Sequence, residues 1–155
     1  MLDLLLSRLL PAIVLTGLLG AGALARGAVS GSGALGGLLA GLAFYLLADW
    51  PAWLLLAGFF LSSSLLGLPG RKRRQAVESR HERGGRRSWH QVVANTGPMM
   101  VAAVVVLAGQ GSSASVVAMT GLAAGFAAAA SDTWAGEVGI LSRSAPRMLI
   151  GLRSA

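Results

Sequence analysis

Apolar residues in this chain are gathered into runs rather than scattered. Five runs of 17 residues stand out, at 9–25, 32–48, 52–68, 92–108 and 114–130. That length is near the lower limit for a helix crossing roughly 30 Å of hydrocarbon. The pattern therefore predicts an all-α, polytopic membrane protein with about five transmembrane helices. Short polar stretches separate the runs. Residues 26–31 form a brief connection, and Asp49-Trp50-Pro51 reads as a tight interfacial turn, with Trp50 and Trp53 suited to the aromatic belt. Residues 109–113 form a short polar loop, and 69–91 is a longer, strongly basic segment whose part 71–83 is expected as a surface helix ended by Gly84-Gly85. Gly33, Gly37 and Gly41, and later Gly121, Gly125 and Ala129, recur every four residues, which on a helix makes a smooth stripe for close packing. Ser62-Ser63-Ser64, near the end of the third run, can bond to its own backbone or to a neighbouring helix. For the first run a secretory signal peptide is the competing reading; it wants a basic residue ahead of the apolar stretch, whereas Asp3 comes first.

Composition strengthens the membrane reading. The 155 residues are 54% hydrophobic and only 12% charged, against about 25% charged in ordinary soluble domains; mean hydropathy is +0.67. A soluble domain of this size could not hide so much apolar surface. The chain is expected to be a single transmembrane domain over residues 1–155. It has no cysteine, so a disulfide framework and a thiolate zinc site are excluded. The net charge of +7 would suit nucleic-acid binding, but its distribution argues against that partner. Five alternating spans put the Arg26 connection, the 69–91 loop and the segment after residue 130 on one face. Of the 13 basic residues only Arg8 falls on the other. Cytoplasmic loops carry the excess of Lys and Arg, so the basic loop is expected to face the cytoplasm in a multi-pass protein of the cell inner membrane.

That topology brings chemistry to one side. Asn95 begins the fourth span, while Asp132 and Glu137 lie just past the fifth, beside the basic loop. Acidic residues near apolar spans usually mark ion or substrate chemistry, because burying them is costly. Magnesium accepts few protein oxygens when phosphates complete its shell, and arginine supplies paired donors to phosphate oxygens. A nucleotide or a lipid phosphate is the implied ligand. Each feature also has a plainer explanation. The loop could serve as a topology signal or an anionic-lipid contact, and Asn95 could bond a neighbouring helix. Asp132 and Glu137 stand about 140° apart on a helix, so they share a metal only if the helix starts or breaks between them, with Gly136 the candidate break. His81 and His90 lack ligand spacing and are assigned to solvent or the membrane surface. No phosphate-binding loop of the soluble nucleoside-triphosphatase type is present, since Gly67-x-x-Gly70-Arg71-Lys72 lacks the required spacing.

Ser131-Asp132-Thr133-Trp134-Ala135-Gly136-Glu137-Val138-Gly139, with Leu141-Ser142 and Pro146-Arg147 beyond it, resembles the Ala-Asp-Thr-Trp-Ala-Ser-Glu-Leu-Gly signature of an integral-membrane prenyl-phosphate kinase family. Its plant member is the phytyl-phosphate kinase of vitamin E synthesis. Arg83-Gly84-Gly85-Arg86-Arg87 leading to Gln91-Val92-Val93-Ala94-Asn95 resembles that family's second motif, Gln-Val-Leu-Ala-Asn. The likeness covers nearly the whole chain. It implies an enzyme using a nucleoside triphosphate, CTP in the plant case, with Mg2+ to phosphorylate an isoprenyl monophosphate. Carried over by position, it makes Asp132 and Glu137 metal carboxylates, with Asp132 catalytic. Gln91 and Asn95 would contact nucleotide or metal-bound water, and Lys72 and Arg87 would neutralise phosphates. Ser131 and Gly136 depart mildly from the signature. Relatives continue into a further Gly-rich motif and more spans, so the chain is expected to be the N-terminal part of a longer domain. A polyprenol or phytol kinase, in which Asp132 would serve as base to an alcohol, is a second possibility. A third is a non-catalytic transporter subunit or a scaffold for anionic lipid. Asp132→Asn is expected to abolish transfer while leaving the protein in the membrane; normal turnover in that variant would refute the metal role.

Overall fold

A computed structural model describes residues 5–78 and 87–142, with side chains described for 6–70 and 87–142. Apart from one isolated backbone bridge, the described elements are helical. A π-helical turn, Leu5–Leu9, leads into α1, Leu10–Ala25, whose Pro11 sits in the first turn where a missing N–H costs nothing. Gly27, at φ 65°, turns the chain out of α1. The helix Gly31–Glu78 is interrupted at Ala48 and Asp49, which leave helical geometry, so it divides into α2 (31–47) and α3 (50–78). Then come α4, Trp89–Ala108, and α5, Ser113–Leu141, joined by a turn in which Gly111 takes φ 79°.

The interruption at Asp49 is a reversal. A straight helix would hold Gly33 and Ser64 about 46 Å apart at ~1.5 Å per residue. Instead both touch one residue. The space beside Gly33 is filled by the Arg87 carbonyl, and the Arg87 guanidinium donates to Ser64 Oγ at 3.4 Å. The two arms are therefore antiparallel. Asp49 makes the bend at φ 64°, ψ −174°, a region almost confined to glycine and costing about 1–3 kcal/mol. Two contacts hold it there: the Trp50 N–H donates to Asp49 Oδ1 at 2.7 Å, and Arg8 donates to Oδ2 at 3.3 Å in an ion pair. Among the described residues four helical stretches are long and apolar enough to span a membrane, the longest being Gly31–Gly70. Folding that stretch at Asp49 yields five crossings, in agreement with the five apolar runs.

The helices are longer than the runs. α5 continues past residue 130 to Leu141, and α3 continues past 68 to Glu78. Backbone hydrogen bonding does not end where polarity begins, so apolar run length underestimates a helix that emerges from the hydrocarbon. The basic segment expected as a separate surface helix is, up to Glu78, an extension of α3; residues 79–86 and 143–155 lie outside the described part.

Four helices share the core. Phe44 of α2 meets Phe126 of α5 edge-on with ring centroids 5.3 Å apart, and Phe59 of α3 adds a tilted contact at 6.2 Å. Met99, Ala103, Leu122 and alanines on α2 and α3 fill in around them. Both glycine stripes have a packing role at individual positions. Gly41 lies against Thr16 of α1, and a Cβ on Gly125 would come within 2.8 Å of Met99. Trp53 does not simply float in an interfacial belt: its indole donates to Thr16 Oγ1 at 3.0 Å, fastening α3 to α1. α1 packs on the α2–α3 hairpin and makes no comparable contact with α4 or α5. That lopsided packing leaves space between α1 and the rest of the bundle.

Gly33 and Gly37 give opposite expectations although they share one stripe. A Cβ on Gly33 would collide with the Arg87 carbonyl, which is backbone and cannot swing away, whereas nothing lies within 4 Å of that position on Gly37. Gly33→Ala should cost about 1–3 kcal/mol, and Gly37→Ala should be neutral within ~1 kcal/mol. Thermal unfolding of the two variants in detergent checks the contrast.

Candidate functional site at the basic end

Arg87 organises this end through its backbone before its side chain. The Arg87 N–H donates to the Ala28 carbonyl at 3.3 Å, and the Arg87 carbonyl accepts from the Ser30 N–H at 3.1 Å, the short parallel bridge that pairs Val29 with Arg87. Ser30 Oγ donates to the same carbonyl at 3.2 Å and accepts from the Gly33 N–H at 3.1 Å, capping α2. The segment before α4 is thereby tied to the segment before α2. Both helices start here, with the partial positive ends of their dipoles at the same end of the bundle. The guanidinium then lies over the Phe60 ring, 5.4 Å from its centroid, with Ser64 Oγ as hydrogen-bond acceptor. Ser64 in turn donates to the Phe60 carbonyl at 2.7 Å.

Arg87 stands between two cavities. The smaller, of about 70 Å³, lies among α1, α2, α3 and α4; it is almost wholly apolar and bordered by Gln91, Asn95 and Thr96. The larger, of about 450 Å³, lies between α1 and α3 and reaches α5; its polar border is Arg26, Ser63, Ser64, Arg87 and Glu137. Only the larger falls within the usual ligand-pocket range of about 300–1,000 Å³.

The residues singled out from sequence divide accordingly. Arg87, Gln91 and Asn95 border the smaller cavity together. Gln91 also closes the first turn of α4, its Oε1 accepting from the Ser88 N–H at 3.0 Å, which leaves its amide NH2 to serve a ligand. Arg87 and Glu137 border the larger cavity together. Glu137 is 8% exposed, and Gly67 makes room for it: a Cβ there would lie 3.2 Å from Glu137 Oε2. Asp132 is exposed and borders neither cavity. No helix break falls at Gly136, since α5 runs through to Leu141, so the two carboxylates stay about 140° apart. Lys72 is on α3, but its side chain lies outside the described residues.

Three contributors were missed by sequence reading. Arg26 counted only toward topology, although it borders the larger cavity from the end of α1. Phe60 was part of an apolar run, and nothing in the run marked it as the ring under Arg87. Ser63 was noted within a serine triplet without being distinguished from its neighbours. Their convergence depends on the reversal at Asp49, which returns α3 to the end where α1 finishes.

Among the described residues no three His, Asp or Glu side chains gather as a protein-only metal cage. The donor set fits a different arrangement. One inward carboxylate, Glu137, seated where Gly67 leaves space, suits a magnesium ion whose remaining shell is water and phosphate.

A family model described as "Integral membrane protein DUF92" matches residues 14–155. Protein PGR of Arabidopsis thaliana is 30% identical over 152 residues, covering 92% of this chain and 52% of its own length. The chain thus spans about half the length of that curated relative. No solved structure matches it. With five antiparallel apolar crossings and a match over nearly all of its residues, the chain belongs to the DUF92 family of integral membrane proteins.

Proposed function

We propose that the protein is a membrane phosphotransferase that moves a phosphoryl group from a nucleoside triphosphate, CTP by resemblance, to an isoprenyl monophosphate. The observation that carries this reading is the position of Arg87, between an amide-bordered apolar cavity and a larger cavity bordered by a buried carboxylate and a second arginine. An amphiphile with a charged head requires both environments side by side. The excess of basic residues on the same end supports a cytoplasmic active face and an inner-membrane location.

Phosphoryl transfer depends on positioning and charge stabilisation more than on covalent chemistry by the protein. A phosphate-monoester acceptor is largely dianionic at pH 7, with its second pKa near ~6, and needs no base. Arg87, steadied by the Phe60 ring and Ser64, would orient phosphate oxygens through paired N–H donors. The Gln91 amide and Asn95 would donate from the neighbouring wall. Glu137 would hold magnesium, which when bound supplies charge neutralisation across the donor phosphates. Asp132 is exposed about 140° around α5 from Glu137 and borders neither cavity, so on this reading it does not share Glu137's ion.

Full-length protein purified in detergent, given labelled CTP, Mg2+ and a panel of prenyl alcohols and monophosphates, should move label to a monophosphate. Glu137→Gln should lower that turnover about 100-fold or more, the scale of losing one electrostatic contact to a transferring group. Label remaining on the nucleotide with every acceptor would overturn the enzyme reading in favour of a non-catalytic binder of anionic lipid. Transfer to alcohols alone would place the protein among the alcohol kinases.

A further inference from the structure

The wall of the larger cavity holds a polar group whose hydrogen bonding is incomplete. Ser62 and Ser64 spend their hydroxyls on their own helix, donating to the Gly58 and Phe60 carbonyls at 2.7 Å each. Ser63, between them, does not. It is 0% exposed, and its Oγ has no hydrogen-bond partner among the described residues. A buried hydroxyl left unsatisfied is destabilising, and helix geometry offers serine an easy way to avoid that by bonding the carbonyl one turn back. Ser63 borders the larger cavity, where a ligand oxygen would complete it.

The rest of the wall specifies the ligand. Two guanidiniums, Arg26 and Arg87, against one carboxylate, Glu137, leave the polar border net positive. Gly22 gives the Arg26 side chain room: its Nη1 lies 3.4 Å from where a Cβ on Gly22 would stand. The opposite part of the wall is leucine, including Leu18 on α1 and Leu65 on α3, which are 69% and 65% exposed. α1 and α3 are fastened at Thr16 and Trp53, but beyond that point Gly17 and Gly20 have nothing within 4 Å of a built Cβ. The larger cavity lies between α1 and α3 on the basic side of that fastening, and its border there is edged by apolar side chains.

We propose that this chamber is the acceptor subsite: a phosphate monoester on an apolar tail seats its head between Arg26 and Arg87 with Ser63 as a third donor, and reaches it sideways from the bilayer through the gap between α1 and α3. This rests on the phosphotransferase reading for the identity of the lipid, but not for the existence of the site. The volume of about 450 Å³ accepts a head and the first part of a tail, whereas the cavity of about 70 Å³ does not.

Binding without nucleotide separates the two proposals. Full-length protein in detergent is titrated calorimetrically with farnesyl monophosphate, farnesol and inorganic phosphate. Farnesyl monophosphate should bind, and the other two should each bind at least about tenfold more weakly, since each lacks one half of the recognition. Arg26→Gln should weaken farnesyl monophosphate roughly tenfold, the scale of one charge-assisted hydrogen bond, and Ser63→Ala severalfold. Leu65→Trp, and independently Leu18→Trp, should close the gap, cutting farnesyl monophosphate binding while sparing inorganic phosphate. Unchanged thermal midpoints certify the fold of each variant. Inorganic phosphate binding as tightly as the lipid overturns the acceptor assignment, as does full lipid affinity in both Arg26→Gln and Ser63→Ala. If CTP turnover is absent while these binding results hold, the kinase reading falls and the site stands. If turnover is normal and lipid binding ignores the substitutions, the site falls and the kinase reading stands.

Discussion

The backbone clasp between Ala28–Ser30 and Arg87 is the contact on which the functional end depends. Non-helical backbone within hydrocarbon must be satisfied by protein, because lipid offers no partners, and irregular segments at the rim of the bundle are held most firmly when they satisfy each other. Here two irregular segments, 57 positions apart at Ser30 and Arg87, satisfy each other through the Ala28, Ser30 and Arg87 backbone groups and the Ser30 hydroxyl. The absence of a side chain at Gly33 lets the Arg87 carbonyl come close enough for the arrangement to close. Once it has closed, α2 and α4 begin side by side, and the Arg87 guanidinium lies over Phe60 of α3.

The opposite end is held by a smaller device. Asp49 tolerates a backbone conformation that suits glycine, supported by its own N-terminal capping bond and by the ion pair to Arg8. Among the described side chains Arg8 is the lone basic one at that end, and pairing it with Asp49 offsets its charge. The reversal matters beyond topology. It folds a stretch of about 60 Å, at ~1.5 Å per residue, into a hairpin, and so returns Phe60, Ser63 and Ser64 to the end where Arg26 and Arg87 lie. α1, held mainly at Thr16 against Trp53 and Gly41, is the least integrated helix. The space it leaves is where both cavities form.

Helix–helix association in a bilayer has little hydrophobic drive, and relies on close packing and on a few polar contacts. The core is built accordingly, from alanines and glycines around one aromatic group, Phe44, Phe59 and Phe126. Polar contacts are concentrated at the two ends and at the Trp53–Thr16 fastening. The middle of the bundle is a spacer, and what distinguishes this protein chemically lies at one rim.

Much of the architecture was legible in the residues alone. The cost of placing a segment in hydrocarbon depends on its composition, so five crossings, their reversals near Asp49 and Gly109, and the gathering of charge on one face all follow from the order of apolar and polar residues. Glu137 and Asn95 stood out because polar residues are scarce near such spans, whereas Arg87 and Gln91 were singled out only by the resemblance of their segment to a family motif. Other properties depend on rotation about a helix axis and on distance through space, which composition does not encode. At about 100° per residue, an unbroken α5 turns Glu137 inward to Gly67 and leaves Asp132 outside, a separation that hinged on whether Gly136 broke the helix. Ser63 differs from Ser62 and Ser64 only by the direction in which α3 presents it, and Arg26 meets it only because the hairpin brings α3 back beside the end of α1. Which side chains share a cavity was decided by packing, since that depends on angles and approach distances set by the whole bundle at once.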